Sequence, residues 1–213
     1  MLLAIPALSR DYFFNTIKMK SLFLFCCSGL IFLSACTSHS KKILVYASSE
    51  IQVDNSQQNI TLTEGTTHHE KELDFSGSAP VTLNIQTPAG KFTLEAMEDG
   101  LYLANLKTDT VVGSFQRVGT GGGEGRITQE ELSQKIDSLQ KLVLGQNQSI
   151  ANRNYFIPPN KISKITTVTN AKIFGPYTSV PGSFDPGSVP ELYKFYTNNE
   201  VREILARLSG MNK

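Results

Sequence analysis

The sequence predicts an α+β fold, in which an N-terminal antiparallel β-sandwich or open barrel is followed by an amphipathic helix, a segment rich in proline and aromatic residues, and a C-terminal helix. Three observations support this prediction. Apolar residues alternate with polar ones between positions 43 and 117, five glycines crowd into positions 119–125, and apolar residues recur at helical spacing in two later segments. Alternation places every second side chain on one face of a strand, whereas a helix repeats after three or four residues.

The clearest alternation predicts a four-strand antiparallel meander over residues 81–117. Its strands are expected at 81–85, 92–96, 101–103 and 110–116. Asp99 and Gly100 lie between the second and third of them and form a favourable two-residue hairpin turn, because both tolerate positive φ. Weaker strands are predicted at 43–47, 50–53, 58–63 and 67–75.

The glycine run predicts a domain boundary. We expect a β-domain over 43–118, a flexible linker over 119–127 and a C-terminal α+β region over 128–213. A phosphate-binding loop is the alternative, but the run lacks the Gly-x-x-x-x-Gly-Lys-Ser/Thr spacing, and Glu124 would repel a phosphate. The linker is the favoured interpretation.

Two amphipathic helices are predicted after this linker. Thr128 and Glu131 form a capping box ahead of the first helix, which is expected to end near Gly145. Thr197 and Glu200 form a second capping box, and Gly210 is expected to end the second helix. The apolar stripes of the two helices are Leu132, Ile136, Leu139 and Val143 in the first, and Val201, Ile204, Leu205 and Leu208 in the second.

The N-terminal segment carries a targeting pattern. Lys18-Met19-Lys20 precedes a short apolar run over 22–33, which closes in Leu33-Ser34-Ala35-Cys36. This run is shorter than the roughly 20 residues that a membrane-spanning helix needs. The pattern resembles the lipobox of bacterial lipoprotein signal peptides. The resemblance implies cleavage between Ala35 and Cys36 and acylation of the Cys36 sulfur, for example with palmitate.

This resemblance implies the boundaries of the precursor. Residues 1–35 would be the signal peptide, with translation starting at Met19 rather than Met1, and 36–42 would be a lipidated tether. The expected location is the bacterial cell envelope, with membrane lipid as the partner of Cys36 and the body outside the cytoplasm. Two acyl chains suffice for stable anchoring.

Composition excludes several function classes for the mature chain. Seventeen Lys and Arg residues and eighteen Asp and Glu residues remain after position 35, so there is no basic surplus for nucleic acid. Cys36 is the only cysteine left, which excludes an intrachain disulfide. No cofactor is expected.

Two sets of residues are candidates for binding. His68, Glu70 and Glu72 would share one face of a strand over 67–75 and could bind zinc or calcium, although a solvated charged face is the favoured interpretation. The aromatic residues Tyr177, Tyr193, Phe195 and Tyr196 could line a sugar or peptide groove, although core packing is commoner for such residues.

The sequence favours a noncatalytic binding or structural module of the envelope, with an envelope protein or a glycan as partner. The motifs His-Glu-x-x-His and Gly-x-Ser-x-Gly do not occur in it. The alternative is a carboxylate-dependent cell-wall or glycan hydrolase, because two catalytic acids require no fixed spacing in a sequence. No residue is predicted to be catalytic.

Overall fold

The computed structural model describes residues 39–116, 129–146, 148, 151–181 and 191–211. The predicted lipobox, Cys36 and the whole glycine run lie outside these residues. The strands are β1 (Ser40–Ala47), β2 (Ile51–Val53), β3 (Asn59–Leu62), β4 (His69–Ser76), β5 (Val81–Thr87), β6 (Gly90–Ala96), β7 (Gly100–Leu106), β8 (Val111–Gln116), β9 (Asn154–Ile157), β10 (Lys161–Thr166), β11 (Lys172–Phe174) and β12 (Leu192–Thr197). The helices are α1 (Gln129–Val143) and α2 (Asn198–Met211).

Strands β10, β7, β1 and β4 form, in that order, a central sheet. Both faces of its two middle strands, β7 and β1, are largely buried, whereas most residues of β4 are exposed. β1 pairs with β7 in parallel, and the other two pairings are antiparallel. Ile43, Val45 and Ala47 of β1 face one hydrophobic core, whereas Leu44 and Tyr46 face another. The alternation of a strand therefore sorts its side chains between two cores, because apolar layers lie on both sides of this sheet.

Two outer sheets of four strands supply those layers. The first outer sheet has the order β2-β3-β5-β6, and its Ile60, Leu83 and Ile85 pack in the core that Ile43 and Val45 share. The second outer sheet has the order β11-β12-β8-β9, and its Tyr193 and Phe195 pack in the core around Tyr46. Three β-layers thus lie face to face.

The helices cover the far side of the second outer sheet. Leu142 of α1 and Val201 of α2 are buried against Val112 of β8. α1 ends as predicted near Gly145, whose φ of 70° permits the bond from its own N–H to the Leu142 carbonyl and the bond from Gln146 N–H to the Lys141 carbonyl. α2 continues through Gly210 to Met211, so the predicted stop at Gly210 is wrong.

The predicted fold class is also wrong. The described residues are mostly β-sheet, arranged in three mixed sheets rather than in one antiparallel sandwich or open barrel. The prediction failed because the proline and aromatic segment supplies four strands, β9 to β12, and three of them, β9, β10 and β12, pair with strands from before the glycine run.

The predicted meander is wrong for a related reason. β5 and β6 form the expected hairpin, but β7 pairs with β1 and β10 and not with β6, and β8 lies in the second outer sheet. Every residue of β7 is buried, which a strand achieves only in the middle of a covered sheet. Gly100 is therefore not a hairpin turn. It adopts a φ of 139° where a Cβ atom would collide with the Thr166 carbonyl oxygen of β10.

The predicted boundary at 119–127 lies outside the described residues, but strands from its two sides share sheets. β8, which ends at Gln116, is flanked by β9 and β12. The residues from His39 onward form one compact unit. Among the described residues, no helix is long and apolar enough to cross a membrane.

Candidate functional site

Polar side chains collect where β1 ends and β4 begins, at the opposite end of the central sheet from Ser40. We call this set the polar cluster. Its members are Tyr46 of β1, His68 just before β4, Glu70 of β4, Lys107 of the β7–β8 turn, Lys194 of β12 and Glu200 of α2. Tyr46, Lys107 and Lys194 are buried.

Lys107, His68 and Glu70 form a hydrogen-bonded chain. Lys107 Nζ lies 3.2 Å from His68 Nδ1, and His68 Nε2 lies 2.7 Å from Glu70 Oε1. Since an ammonium group only donates, this geometry assigns Nδ1 as the acceptor and Nε2 as the donor to the carboxylate. Burial lowers the pKa of Lys107, while the carboxylates of Glu200, Asp109 and Glu70 oppose that effect.

The side chain of Asn105 holds the β7–β8 turn that carries Lys107. The amide nitrogen of Asn105 donates to the carbonyls of Asp109 and Ile157 at 2.9 Å each, and its Oδ1 accepts from Lys107 N–H at 3.1 Å. A fully buried side chain with three such bonds holds the turn in one conformation.

Lys194 is the second buried cation. It projects from β12 with Nζ 4.6 Å from the centre of the Tyr196 ring, and it donates to the Gly175 carbonyl. Burial lowers its pKa as well. A Cβ atom at Gly175 would collide with the Glu70 carboxylate and would lie 2.8 Å from the Tyr46 hydroxyl, so the ends of those side chains would have to shift to accept it.

Glu200 joins the predicted helix cap to the polar cluster. Its Oε2 accepts from Thr197 N–H at 2.8 Å, and Glu200 N–H donates to Thr197 Oγ1 at 3.2 Å, so this capping box is confirmed. Its Oε1 accepts from Tyr177 N–H at 2.8 Å. Both oxygens of this carboxylate are therefore bonded to donors of the chain itself. The other predicted box, Thr128 and Glu131, lies outside the described side chains.

An open cavity of about 430 Å³, which we call the Tyr177 cavity, lies beside the polar cluster. Tyr177 is 71% exposed and has a φ of 64°, an unusual conformation for a large side chain. Such strain costs roughly 1–3 kcal/mol and is concentrated at functional sites. The cavity is lined by Gln116, Tyr177, Thr178, Ser179, Val180, Lys194, Tyr196 and Glu200.

The four aromatic residues of the predicted groove lie in two different places. Tyr177 and Tyr196 line the cavity, whereas Tyr193 and Phe195 are buried in the core. Successive side chains of β12 point to opposite faces of its sheet, so residues that are adjacent in sequence lie in different environments.

The proposed metal ligands are also divided. His68 and Glu70 are bonded to each other, whereas Glu72 forms an ion pair with Lys42 at 2.7 Å. Within the described residues, no group of three His, Cys, Asp or Glu residues could hold a metal ion. The predicted cleavage and lipidation residues, Ala35 and Cys36, precede the described chain.

A second cleft, of about 540 Å³, opens on the other side of Lys107. Its walls come from turns that follow β1, β3, β5, β7 and β9, including Ser49, Gly65, Pro88, Lys107 and Asn160. Lys107 contributes to this wall while its Nζ bonds to His68. Local sequence patterns do not identify Tyr46, Lys107 or Lys194 as members of a site, because an isolated tyrosine or lysine in a strand or turn carries no spacing signal.

Two tyrosine variants test the polar character of this interior. The Tyr46 hydroxyl is buried and has no hydrogen-bond partner among the described residues, whereas the Tyr155 hydroxyl donates to the Ile165 carbonyl. We therefore expect Tyr46→Phe to leave the free energy of unfolding unchanged or to raise it by up to about 1 kcal/mol, and Tyr155→Phe to lower it by about 1 kcal/mol. Urea unfolding of both variants measures the difference. Equal losses in the two variants would contradict the assignment of Tyr46.

No family model, no curated protein and no solved structure matches this chain.

Proposed function

We propose that the protein is a lipid-anchored lipoprotein of the bacterial cell envelope, held by acylated Cys36, whose β-rich body is a noncatalytic module that binds a glycan at the Tyr177 cavity. The anchor rests on the order of basic start, apolar run and small residues before Cys36. The observation that carries the binding proposal is the exposed, backbone-strained Tyr177 at the mouth of a polar cavity.

The chemistry of the lining suits a sugar. A sugar ring has an apolar face of C–H groups and a rim of hydroxyls, and Tyr177 offers an exposed aromatic face for the first. Gln116, Thr178 and Ser179 offer amide and hydroxyl groups for the second. A mixed surface with a few polar groups around an aromatic is typical of small-ligand sites.

The lining also favours binding over cleavage. Glu200 is the carboxylate that lines the cavity, and its oxygens accept from Tyr177 N–H and from Thr197. Both of its oxygens are engaged by groups of the chain itself. Glu200 is therefore a structural support for Tyr177 rather than the proton donor that carboxylate-dependent hydrolysis requires.

Titration with soluble peptidoglycan fragments, followed by calorimetry, tests the binding proposal. We expect the fragments to bind, Tyr177→Ala to weaken the affinity at least tenfold, and Tyr177→Phe to retain most of it because the ring remains. Tenfold corresponds to about 1.4 kcal/mol. Leu144→Ala is the matched control, since Leu144 is 69% exposed and does not line the cavity.

Absence of binding by the unaltered protein would overturn the glycan proposal. Binding that Tyr177→Ala leaves unchanged would place the glycan elsewhere on the surface.

A further inference from the structure

The described chain begins almost at the predicted anchor. β1 starts at Ser40, so Lys41 and Lys42, which were predicted to belong to the tether, are in the central sheet. Four residue steps separate Cys36 from Ser40, and an extended chain advances at most about 3.6 Å per residue. Whatever the conformation of the intervening residues, Ser40 lies within roughly 14 Å of an acylated Cys36.

Three loops surround the point where the chain enters β1, and we call them the entry loops. Residues 77–80 lie there because Gly77 N–H donates to the His39 carbonyl at 2.9 Å. Residues 97–99 lie there because Lys41 Nζ binds both Asp99 and the Gly77 carbonyl. Residues 167–169 follow β10, whose last residue, Thr166, pairs with Leu101.

The entry loops carry exposed apolar side chains. Met97 is 58% exposed and Val168 is 40% exposed. Both belong to the four large hydrophobic residues that are exposed within the described chain, and the other two, Leu144 and Tyr177, lie outside the entry loops. Two small apolar residues of the same loops, Ala79 and Pro80, are exposed as well.

Hydrogen bonds hold these side chains outward. The Tyr102 hydroxyl donates to the Glu98 carbonyl at 2.8 Å and accepts from Glu98 N–H at 3.1 Å, which fixes the residue after Met97. Val168 N–H lies 3.2 Å from Thr166 Oγ1, and the Val168 carbonyl accepts from Ala171 N–H at 3.1 Å. The exposed apolar groups therefore belong to ordered turns.

Charged groups around the entry loops are paired with each other. Lys164 bonds to Glu98 at 2.6 Å, Lys41 to Asp99 at 3.2 Å and Lys42 to Glu72 at 2.7 Å. The pairing cancels the cationic charge that would favour an anionic surface. Apolar contact is therefore the attractive interaction that the entry loops can make with another surface.

We propose that the entry loops rest on the membrane, with Met97 and Val168 inserted into the lipid surface beside acylated Cys36. This proposal rests on the lipid anchor of the proposed function. The surface that these loops contact is lipid, because the anchor holds this end of β1 within about 14 Å of Cys36. The polar headgroup layer is only roughly 5–8 Å thick on each side of the bilayer. The Tyr177 cavity, at the other end of the central sheet, then faces away from the bilayer.

Site-specific fluorescence of the mature, lipidated protein in phosphatidylcholine vesicles tests this orientation. Cys36 is the only cysteine after position 35, so Met97→Cys, Val168→Cys and Leu144→Cys each supply one reactive thiol for an environment-sensitive nitrobenzoxadiazole label. We expect the labels at 97 and 168 to shift to the blue and to lose at least half their emission when the acyl chains carry bromine. The label at 144 is expected to change by less than a tenth.

Flotation with the vesicles separates the two proposals. Protein that floats but shows equal, weak quenching at all three positions would overturn the orientation and leave the anchor intact. Protein that remains at the bottom of the gradient would overturn the Cys36 anchor and the orientation with it.

Discussion

Replacing Cys36 by Ser is expected to abolish incorporation of labelled palmitate and to leave the signal segment uncleaved. A serine hydroxyl cannot form the thioether that lipoprotein acylation requires, and the resemblance to the lipobox implies that acylation precedes cleavage. Metabolic labelling of cells expressing each form, followed by mass analysis of the protein, measures both effects. We expect the label to fall to background and the mass to remain that of the precursor.

The same chain supplies a matched control for this experiment. Cys26 and Cys27 lie within the apolar run and would be removed with the signal peptide. Replacing both by Ser should leave labelling and processing unchanged. Persistent labelling of Cys36→Ser would contradict the lipobox assignment, as would loss of labelling in the Cys26 and Cys27 variant alone.

Gly100→Ala is expected to lower the free energy of unfolding by more than about 3 kcal/mol, in a single transition. Two effects add at this position. The φ of 139° is strained for any residue with a Cβ atom, and that atom would also collide with the Thr166 carbonyl, which belongs to backbone and cannot rotate away. Either Gly100 or β10 must move, which disturbs the pairing of β7.

Gly90→Ala separates these effects. Gly90 has a similar φ of 145°, but nothing lies within 4 Å of the position that its Cβ would occupy. Its substitution should cost only the strain, about 1–2 kcal/mol. Urea denaturation followed by circular dichroism measures both variants. Equal losses would show that the close approach of β10 contributes nothing, and two separate transitions would show that the β-layers unfold independently.

The alternation of apolar and polar residues predicts the positions of the strands, but it does not predict which strands pair. The predicted strands at 81–85 and 92–96 lie within β5 and β6, and their hairpin forms as expected, because consecutive strands meet through a short turn. β7 is different, since its partners lie about 60 residues away on either side in the sequence. Alternation describes which way a side chain points, but it does not identify the strand that lies alongside.

The candidate site shows the same limit. Tyr177 is a sequence candidate for a groove because aromatic residues recur in this segment, although core packing is the favoured interpretation there, whereas the Thr197–Glu200 cap is predicted from its fixed spacing and is confirmed. Lys107 and Lys194 come from separate strands and turns and become neighbours of Glu70 and Glu200 only through the pairing of distant strands. The close approach of Gly175 to Glu70 and Tyr46 also arises from packing that no local pattern contains.

The pairing order of the central sheet has a consequence for how the chain folds as it is made. The β5–β6 hairpin needs only local contacts, but Lys41 pairs with Gly100, and Asn105 pairs with Lys161. Val111 must find Thr197 near the other end of the chain. Folding slows as contacting residues become more distant in sequence. The body therefore cannot close until most of it has been synthesised, so the early strands of the nascent chain remain without their partners for a long interval.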